Sequence, residues 1–171
     1  VWFALILVAV VLFTLPAFAA ETVASGSCGV KLGWKLDDEG VLIVSGSGSM
    51  SDFSYVSRPW ASDSIKKVII EEGVTCIGNY AFYNCDSILT VTFPEDMTAL
   101  TTIGTNLFAN NKRLTKVTLP KTGMSTIPNS MFQECDRLRN IQLPATITSI
   151  GDYAFSSCDS LQTIYIPDGV K

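Results

Sequence analysis

From Ile65 onward, apolar residues recur at fixed offsets along the chain. A six-residue segment with apolar first, fourth and sixth positions reads Ile65-Lys66-Lys67-Val68-Ile69-Ile70. It returns from Ile88 to Phe93, Leu114 to Leu119, Leu138 to Leu143 and Leu161 to Ile166, now closed each time by a proline: Pro94, Pro120, Pro144 and Pro167. Apolar positions separated by one polar position have the period of a strand covered on one face. The first apolar residues are spaced 88−65 = 23, 114−88 = 26, 138−114 = 24 and 161−138 = 23 apart. A fixed period of this size predicts a solenoid, whose units bury their apolar faces only against one another.

The segment between strands repeats as well. Its columns are Val74, Ile77, Gly78, Ala81, Phe82 and Cys85, then Leu100, Ile103, Gly104, Leu107, Phe108 and Asn111. They return as Met124, Ile127, Pro128, Met131, Phe132 and Cys135, and as Ile147, Ile150, Gly151, Ala154, Phe155 and Cys158. The uneven spacing has one source. Two residues precede the first apolar column in the first and fourth copies, against residues 95–99 in the second and 121–123 in the third. Such insertions map to loops on one edge of the stack.

Leu-x-x-Ile-x-Ile-Pro joined to Ile-Gly-x-x-Ala-Phe-x-x-Cys, from Ile65 to the last residue, resembles the BspA-like type of leucine-rich repeat. The general leucine-rich pattern places Asn or Cys after the strand. Here Cys or Asn stands three residues before it, as the BspA-like type implies. Pro128 departs from the glycine of the other copies and implies a different turn there. The resemblance implies a leucine-rich-repeat solenoid, mostly β with short helical or 3-10 turns on its convex side, behind an N-terminal cap. It also implies a place at cell surfaces, in adhesion to host or neighbouring cells.

Ahead of the repeats, residues 20–27 are small and polar and read as a loose leader. Leu32, Trp34 and Leu36 alternate, Asp37-Asp38-Glu39-Gly40 interrupts, and Leu42 and Val44 alternate again. This predicts a β-hairpin cap. Ser45-Gly46-Ser47-Gly48-Ser49 reads as a flexible connector, and Trp60 is expected to cover the open face of the first repeat. Residues 1–20 are uncharged and almost all apolar, and Ala17-Phe18-Ala19 is an A-x-A cleavage motif. They read as a signal peptide; Thr14 and Pro16 shorten the apolar run and argue against a retained membrane anchor. The expected organisation is a signal peptide over 1–19, lacking its own start, a leader and cap over 20–64, and about four repeats over 65–171 with more to follow.

Charge and chemistry narrow the function. The chain carries 12 Lys and Arg against 16 Asp and Glu, a net charge of −4 with no basic run, so nucleic acid is not an expected partner. No amphipathic membrane helix is evident, and no membrane contact is expected after signal cleavage. Histidine is absent, which removes Ser-His and Cys-His nucleophile systems and His-bearing zinc sites. Asp37-Asp38-Glu39 reads as a solvated turn and not as a calcium loop. Ser45 to Ser49 lacks the Lys-Ser/Thr of a phosphate loop. No metal, cofactor or catalytic residue is therefore expected, and the chain reads as a non-enzyme. Cys85, Cys135 and Cys158 share a column with Asn111. A column that accepts either type suggests buried side chains bonding loop backbone, with free thiols; bridges between Cys135 and Cys158, or Cys28 and Cys76, are the alternative. Cys76 aligns with Thr102, Thr126 and Ser149 and reads as exposed.

What remains is the outer side of the strands. It carries two ladders: Lys67, Thr90, Lys116, Asn140 and Thr163, and Ile69, Thr92, Thr118, Gln142 and Tyr165. Thr suits a solvated strand face on propensity alone. The functional reading is a polar platform on the concave side for a protein or a cell-surface glycan, with residues 95–99 as a rim loop. The alternative is a carbohydrate-binding or targeting module of a larger secreted enzyme.

Overall fold

The computed structural model describes residues 19–171; the signal-peptide reading falls on residues outside this range, apart from Ala19. The repeated apolar segments form short parallel strands. Along one wall these are β3 (Lys67–Ile70), β5 (Thr90–Thr92), β7 (Lys116–Thr118), β9 (Asn140–Gln142) and β11 (Thr163–Tyr165). Along the return wall they are β4 (Val74–Ile77), β6 (Thr102–Ile103), β8 (Thr126–Ile127) and β10 (Ser149–Ile150). The predicted inward positions are the core: Ile65, Val68, Ile70, Ile88, Val91, Phe93, Leu114, Val117, Leu138 and Ile141 are buried, while in the last strand Leu161 and Ile164 are half-buried and Ile166 is exposed. Phe82, Phe108, Phe132 and Phe155 stack along the axis, with centroids 5.4, 5.8 and 5.5 Å apart and planes within 15° of parallel. One aromatic per coil thus forms a continuous spine, and each coil is covered only by its neighbours.

The return wall turns without helix. The described residues contain one 3-10 helix, Ser62–Ser64, which precedes the first coil. Each coil instead reverses through two left-handed residues. Tyr80, Asn106, Ser130 and Tyr153 form one such column, and Asn84, Asn110, Glu134 and Ser157 the other, with φ between 50° and 61°. Only Asn adopts this conformation readily. The reward is alignment of N–H groups along the solenoid. Tyr80, Phe82 and Asn84 donate to Thr105 O, Leu107 O and Ala109 O at 3.1, 3.0 and 2.9 Å, and the same trio recurs at the next two interfaces. Three bonds per interface hold conformations that are strained in isolation.

Glycine columns let the coils approach. A Cβ at Gly104 would lie 2.6 Å from Asn79 Cα, and Gly78 and Gly151 are equally crowded. Gly104 N–H donates to Ile77 O and Gly151 N–H to Ile127 O, both at 2.8 Å. Pro128 has a Cβ and no N–H, so it supplies neither closeness nor the bond to Ile103 O. Pairing therefore fails between β6 and β8, while β4–β6 and β8–β10 are paired. The different turn expected at Pro128 is a parted return wall, with a cleft of about 210 Å³ beside it.

The cap departs from the sequence reading in two places. Residues 22–27 belong to β1 (Thr22–Asp37) and are not a loose leader. This strand doubles back: Asp38 N–H donates to Glu21 O at 3.0 Å and the Ser27 hydroxyl to Leu32 O at 3.3 Å. Ser45 to Ser49 lie within β2 (Val41–Met50) and are not a flexible connector. The start of β2 pairs in parallel with β3 (Val41↔Lys67, Val44↔Ile70), and its end pairs with β4 (Gly48↔Val74, Ser49↔Cys76). A composition typical of linkers is strand here because both edges of the segment find partners, and a Cβ at Gly48 would collide with Val30 O. One cap strand thus starts both walls. The predicted hairpin is present, with Trp34↔Val44 and Leu36↔Leu42 in register across Asp37–Gly40. Trp60, 4% exposed, stacks on Phe82 at 5.1 Å and meets Trp34 and Phe53 edge-on at 6.0 and 5.6 Å. It is the lid of the Phe spine.

Candidate binding face

The strand wall positions every residue of the two ladders. Register sets Lys67 beside Thr90 and Thr90 beside Lys116; likewise Ile69, Thr92 and Thr118. Asn140 pairs with Thr163 and Gln142 with Tyr165. Between β7 and β9 the strands are adjacent but unpaired, so the face has two hydrogen-bonded parts. Lys67, Lys116, Thr118, Asn140, Gln142, Thr163 and Tyr165 are exposed, Tyr165 by 70%, whereas Ile69, Thr90 and Thr92 are half-buried. Two members of the ladders were missed by sequence reasoning: Val41 and Ile43 of β2 stand beside Lys67 and Ile69. Their alternation with Leu42 and Val44 was visible, but not that β2 continues the repeat strands.

The loop over residues 95–99 is tied to the next coil. Lys121 N–H donates to Glu95 O at 2.8 Å, and Lys121 Nζ pairs with Glu95 Oε1 at 2.7 Å. The Thr122 hydroxyl donates to Asp96 Oδ1 at 2.6 Å, and Met97 is buried beneath. That hydroxyl, followed by the Thr98 N–H, holds the Asp96 carboxyl below its usual range. The insertion is therefore a fixed rim and its charges sit at the edge of the strand wall.

The Cys/Asn column acts through the backbone. Asn111, fully buried, donates to Phe82 O and Phe108 O, each at 2.7 Å, and accepts from Cys85 N–H at 3.1 Å. Cys135 Sγ donates to Phe108 O at 3.3 Å and Cys158 Sγ to Phe132 O at 3.0 Å. Each donor reaches the Phe carbonyl of the coil before it. All five cysteines are free thiols. Burial pushes Cys28 and Cys158 up to about 11 and Cys85 to about 12; burial and the neighbouring Cys158 raise Cys135 further. Cys76 is half-buried under β2, less open than its column suggested, and is raised by burial and by Asp52. Thiols kept protonated are poor nucleophiles and poor metal ligands. The arrangement offers a surface for contact.

Residues 58–171 match the family model for the BspA type leucine rich repeat region, in six copies. No curated protein sequence matches the chain. Three crystal structures share the fold. A leucine-rich repeat protein from Eubacterium ventriosum is 26% identical with a TM-score of 0.66, over 86% of this chain and 39% of that one. The leucine-rich repeat protein of T. pallidum is 23% identical with a TM-score of 0.57, over 82% of this chain and 60% of that one. A leucine-rich repeat protein from Bacteroides ovatus is 23% identical with a TM-score of 0.51, over 83% and 35%. The chain thus spans less than two thirds of the length of each.

Proposed function

Because the chain belongs to the BspA-type leucine-rich repeat family, we propose that it is an exported, non-enzymatic interaction module that binds a protein or glycan at a cell surface through its strand wall, in adhesion. The observation that carries this reading is the pair of outward ladders held on a strand wall of two hydrogen-bonded parts, with Lys67, Lys116, Thr118, Asn140, Gln142, Thr163 and Tyr165 exposed. Solenoids use such extended faces for recognition, since stacking sets side chains from distant parts of the sequence at fixed spacing. Export is supported by the apolar leader with its Ala17-Phe18-Ala19 motif. A non-enzymatic role is supported by the lack of histidine and by thiols held protonated. Hydroxyl and amide groups dominate the exposed ladders, which also favours the second reading, a carbohydrate-targeting module within a longer secreted protein.

The test is binding of fluorescently labelled chain to intact epithelial and bacterial cells. A variant carrying Thr92→Glu, Thr118→Glu, Gln142→Glu and Tyr165→Glu, shown to be folded by circular dichroism, is expected to lose most of the signal. Equal binding by the variant and the parent chain would remove the strand wall from consideration.

A further inference from the structure

Five cations that are scattered in sequence meet on two adjacent rungs. Residues 112–116 contribute Lys112, Arg113 and Lys116, and residues 136–140 contribute Arg137 and Arg139. The same turn leads into both rungs: Leu114 N–H donates to Asn111 O and Leu138 N–H to Cys135 O, each at 3.0 Å. Arg113 and Arg137 therefore share one column on neighbouring coils, one rung apart. All five side chains are exposed. None takes part in an ion pair; the one ion pair among the described residues is Lys121–Glu95. The acid within these two segments is Asp136, so they sum to +5 − 1 = +4, while the rest of the chain sums to 7 − 15 = −8, out of a total of −4.

The fold does not ask for these charges. In the neighbouring rungs the column of Arg113 and Arg137 holds Ser87 and Ser160. The column of Arg139 holds Leu89 and Gln162, and that of Lys116 holds Thr90 and Thr163. Arg113 and Arg137, like charges one rung apart, repel each other in a column that serines fill in the rungs on either side. A cluster of exposed cations with no ion pair fits a polyanion. We infer that Lys112, Arg113, Lys116, Arg137 and Arg139 form a binding site for a linear polyanionic glycan, one carrying sulfate or carboxylate groups, which lies along the solenoid axis. Around the cations, Thr115, Thr118, Asn140 and Gln142 present hydroxyl and amide groups that match sugar hydroxyls. The two rungs expose no aromatic side chain on which bases could stack, as single-stranded nucleic acid requires. They also lack the aromatic or apolar anchor that dominates protein interfaces. The inference rests on the interaction-module reading and names its ligand class.

The experiment measures binding of the full chain to immobilised heparin, polygalacturonate, duplex DNA and polyglutamate over a range of salt concentrations. The chain is expected to bind heparin, polygalacturonate or both, and more tightly than DNA or polyglutamate. The triple variant Arg113→Ser, Lys116→Thr and Arg137→Ser borrows residues from the same columns. It should lower the log–log salt slope by about 2.7 and the affinity at low salt by more than about tenfold, as loss of three counterion-releasing contacts requires. A control triple, Lys31→Gln, Lys35→Gln and Lys171→Gln, removes equal charge elsewhere and should stay within about twofold. Should the triple variant not fold, the single exposed change Arg137→Glu gives the same readout. No binding to either glycan at low salt, or equal loss in the control triple, overturns the inference. Tighter binding of DNA or polyglutamate overturns the ligand class. Absent glycan binding with cell binding still lost on changing the ladders defeats this inference and leaves the interaction-module reading standing.

Discussion

Replacing Asn111 tests how the Cys/Asn column holds the coils together. Asn111 is the one buried polar side chain of the core among the described residues, and it joins two coils. Its amide donates to Phe82 O and Phe108 O at 2.7 Å, and its carbonyl accepts from Cys85 N–H at 3.1 Å. Asn111→Ala removes three bonds of about 1 kcal/mol net each and orphans buried backbone groups at about 1–3 kcal/mol, for a total loss of about 4–6 kcal/mol. Asn111→Cys is the discriminating change. Cysteine elsewhere in the column still donates to the preceding Phe carbonyl, at 3.3 Å from Cys135 and 3.0 Å from Cys158. Cys135 N–H and Cys158 N–H turn instead to the Phe132 and Phe155 carbonyls of their own coils. A thiol at 111 leaves Cys85 N–H the same recourse, so the loss should be about 1–2 kcal/mol. Urea denaturation gives both values, followed by the fluorescence of Trp34 and Trp60 in the cap and by circular dichroism over the array. Coincidence of the two probes checks that the stack melts as one unit. A loss below about 1 kcal/mol for Asn111→Ala, or equal losses for Ala and Cys, would refute the column's role as a backbone donor.

Three further changes probe neighbouring parts of the argument. Gly104→Ala should cost about 1–3 kcal/mol, because its Cβ meets Asn79 backbone, whereas Gly33→Ala, 3.3 Å from Gly26 O, should cost less than about 1 kcal/mol in the same urea titration. Trp60→Ala removes the lid over Phe82 and should cost about 3–5 kcal/mol; an unchanged urea midpoint would show that the spine needs no cover. Stability should fall in alkali. Cys85 titrates at about 12 in the folded chain against 9.0 for an ordinary thiol, so above pH 9 the unfolded chain binds fewer protons than the folded one. Its contribution is complete below pH 9 and is lost towards pH 12, at about 1.4 kcal/mol per pH unit. Cys85→Ala should flatten the fall between pH 9 and pH 10.5, and an unaltered slope would assign the alkaline loss to other groups.

Much of the fold is written in residue spacing. Strict columns such as Ile77, Ile103, Ile127 and Ile150 state that each copy packs alike, and Cys85, Asn111, Cys135 and Cys158 at one position imply a shared backbone partner. The position of Trp60 ahead of the first coil sufficed to make it the lid. Local composition misled where partners lie far away. Ser45 to Ser49 has the makeup of a linker, but β3 and β4 offer edges to the strand that contains it. Residues 22–27 look loose, yet fold onto the second half of β1. The left-handed Tyr80, Ser130 and Glu134 carry no local signal, since three bonds to the following coil stabilise what their own side chains disfavour.

The sequence by itself determined that the chain is a two-part solenoid, which side of each strand faces inward, and where its insertions lie. These follow from periodicity, because burial of apolar side chains depends on their spacing along one strand and its return. Only the tertiary structure decided what lies side by side. It joined the cap strand to both walls, parted the return wall at Pro128, and gathered Lys112, Arg113, Lys116, Arg137 and Arg139 onto two rungs of a chain whose net charge is −4. Positions about two dozen residues apart become neighbours when coils stack. Charge that is dilute along the sequence is thereby concentrated on one face.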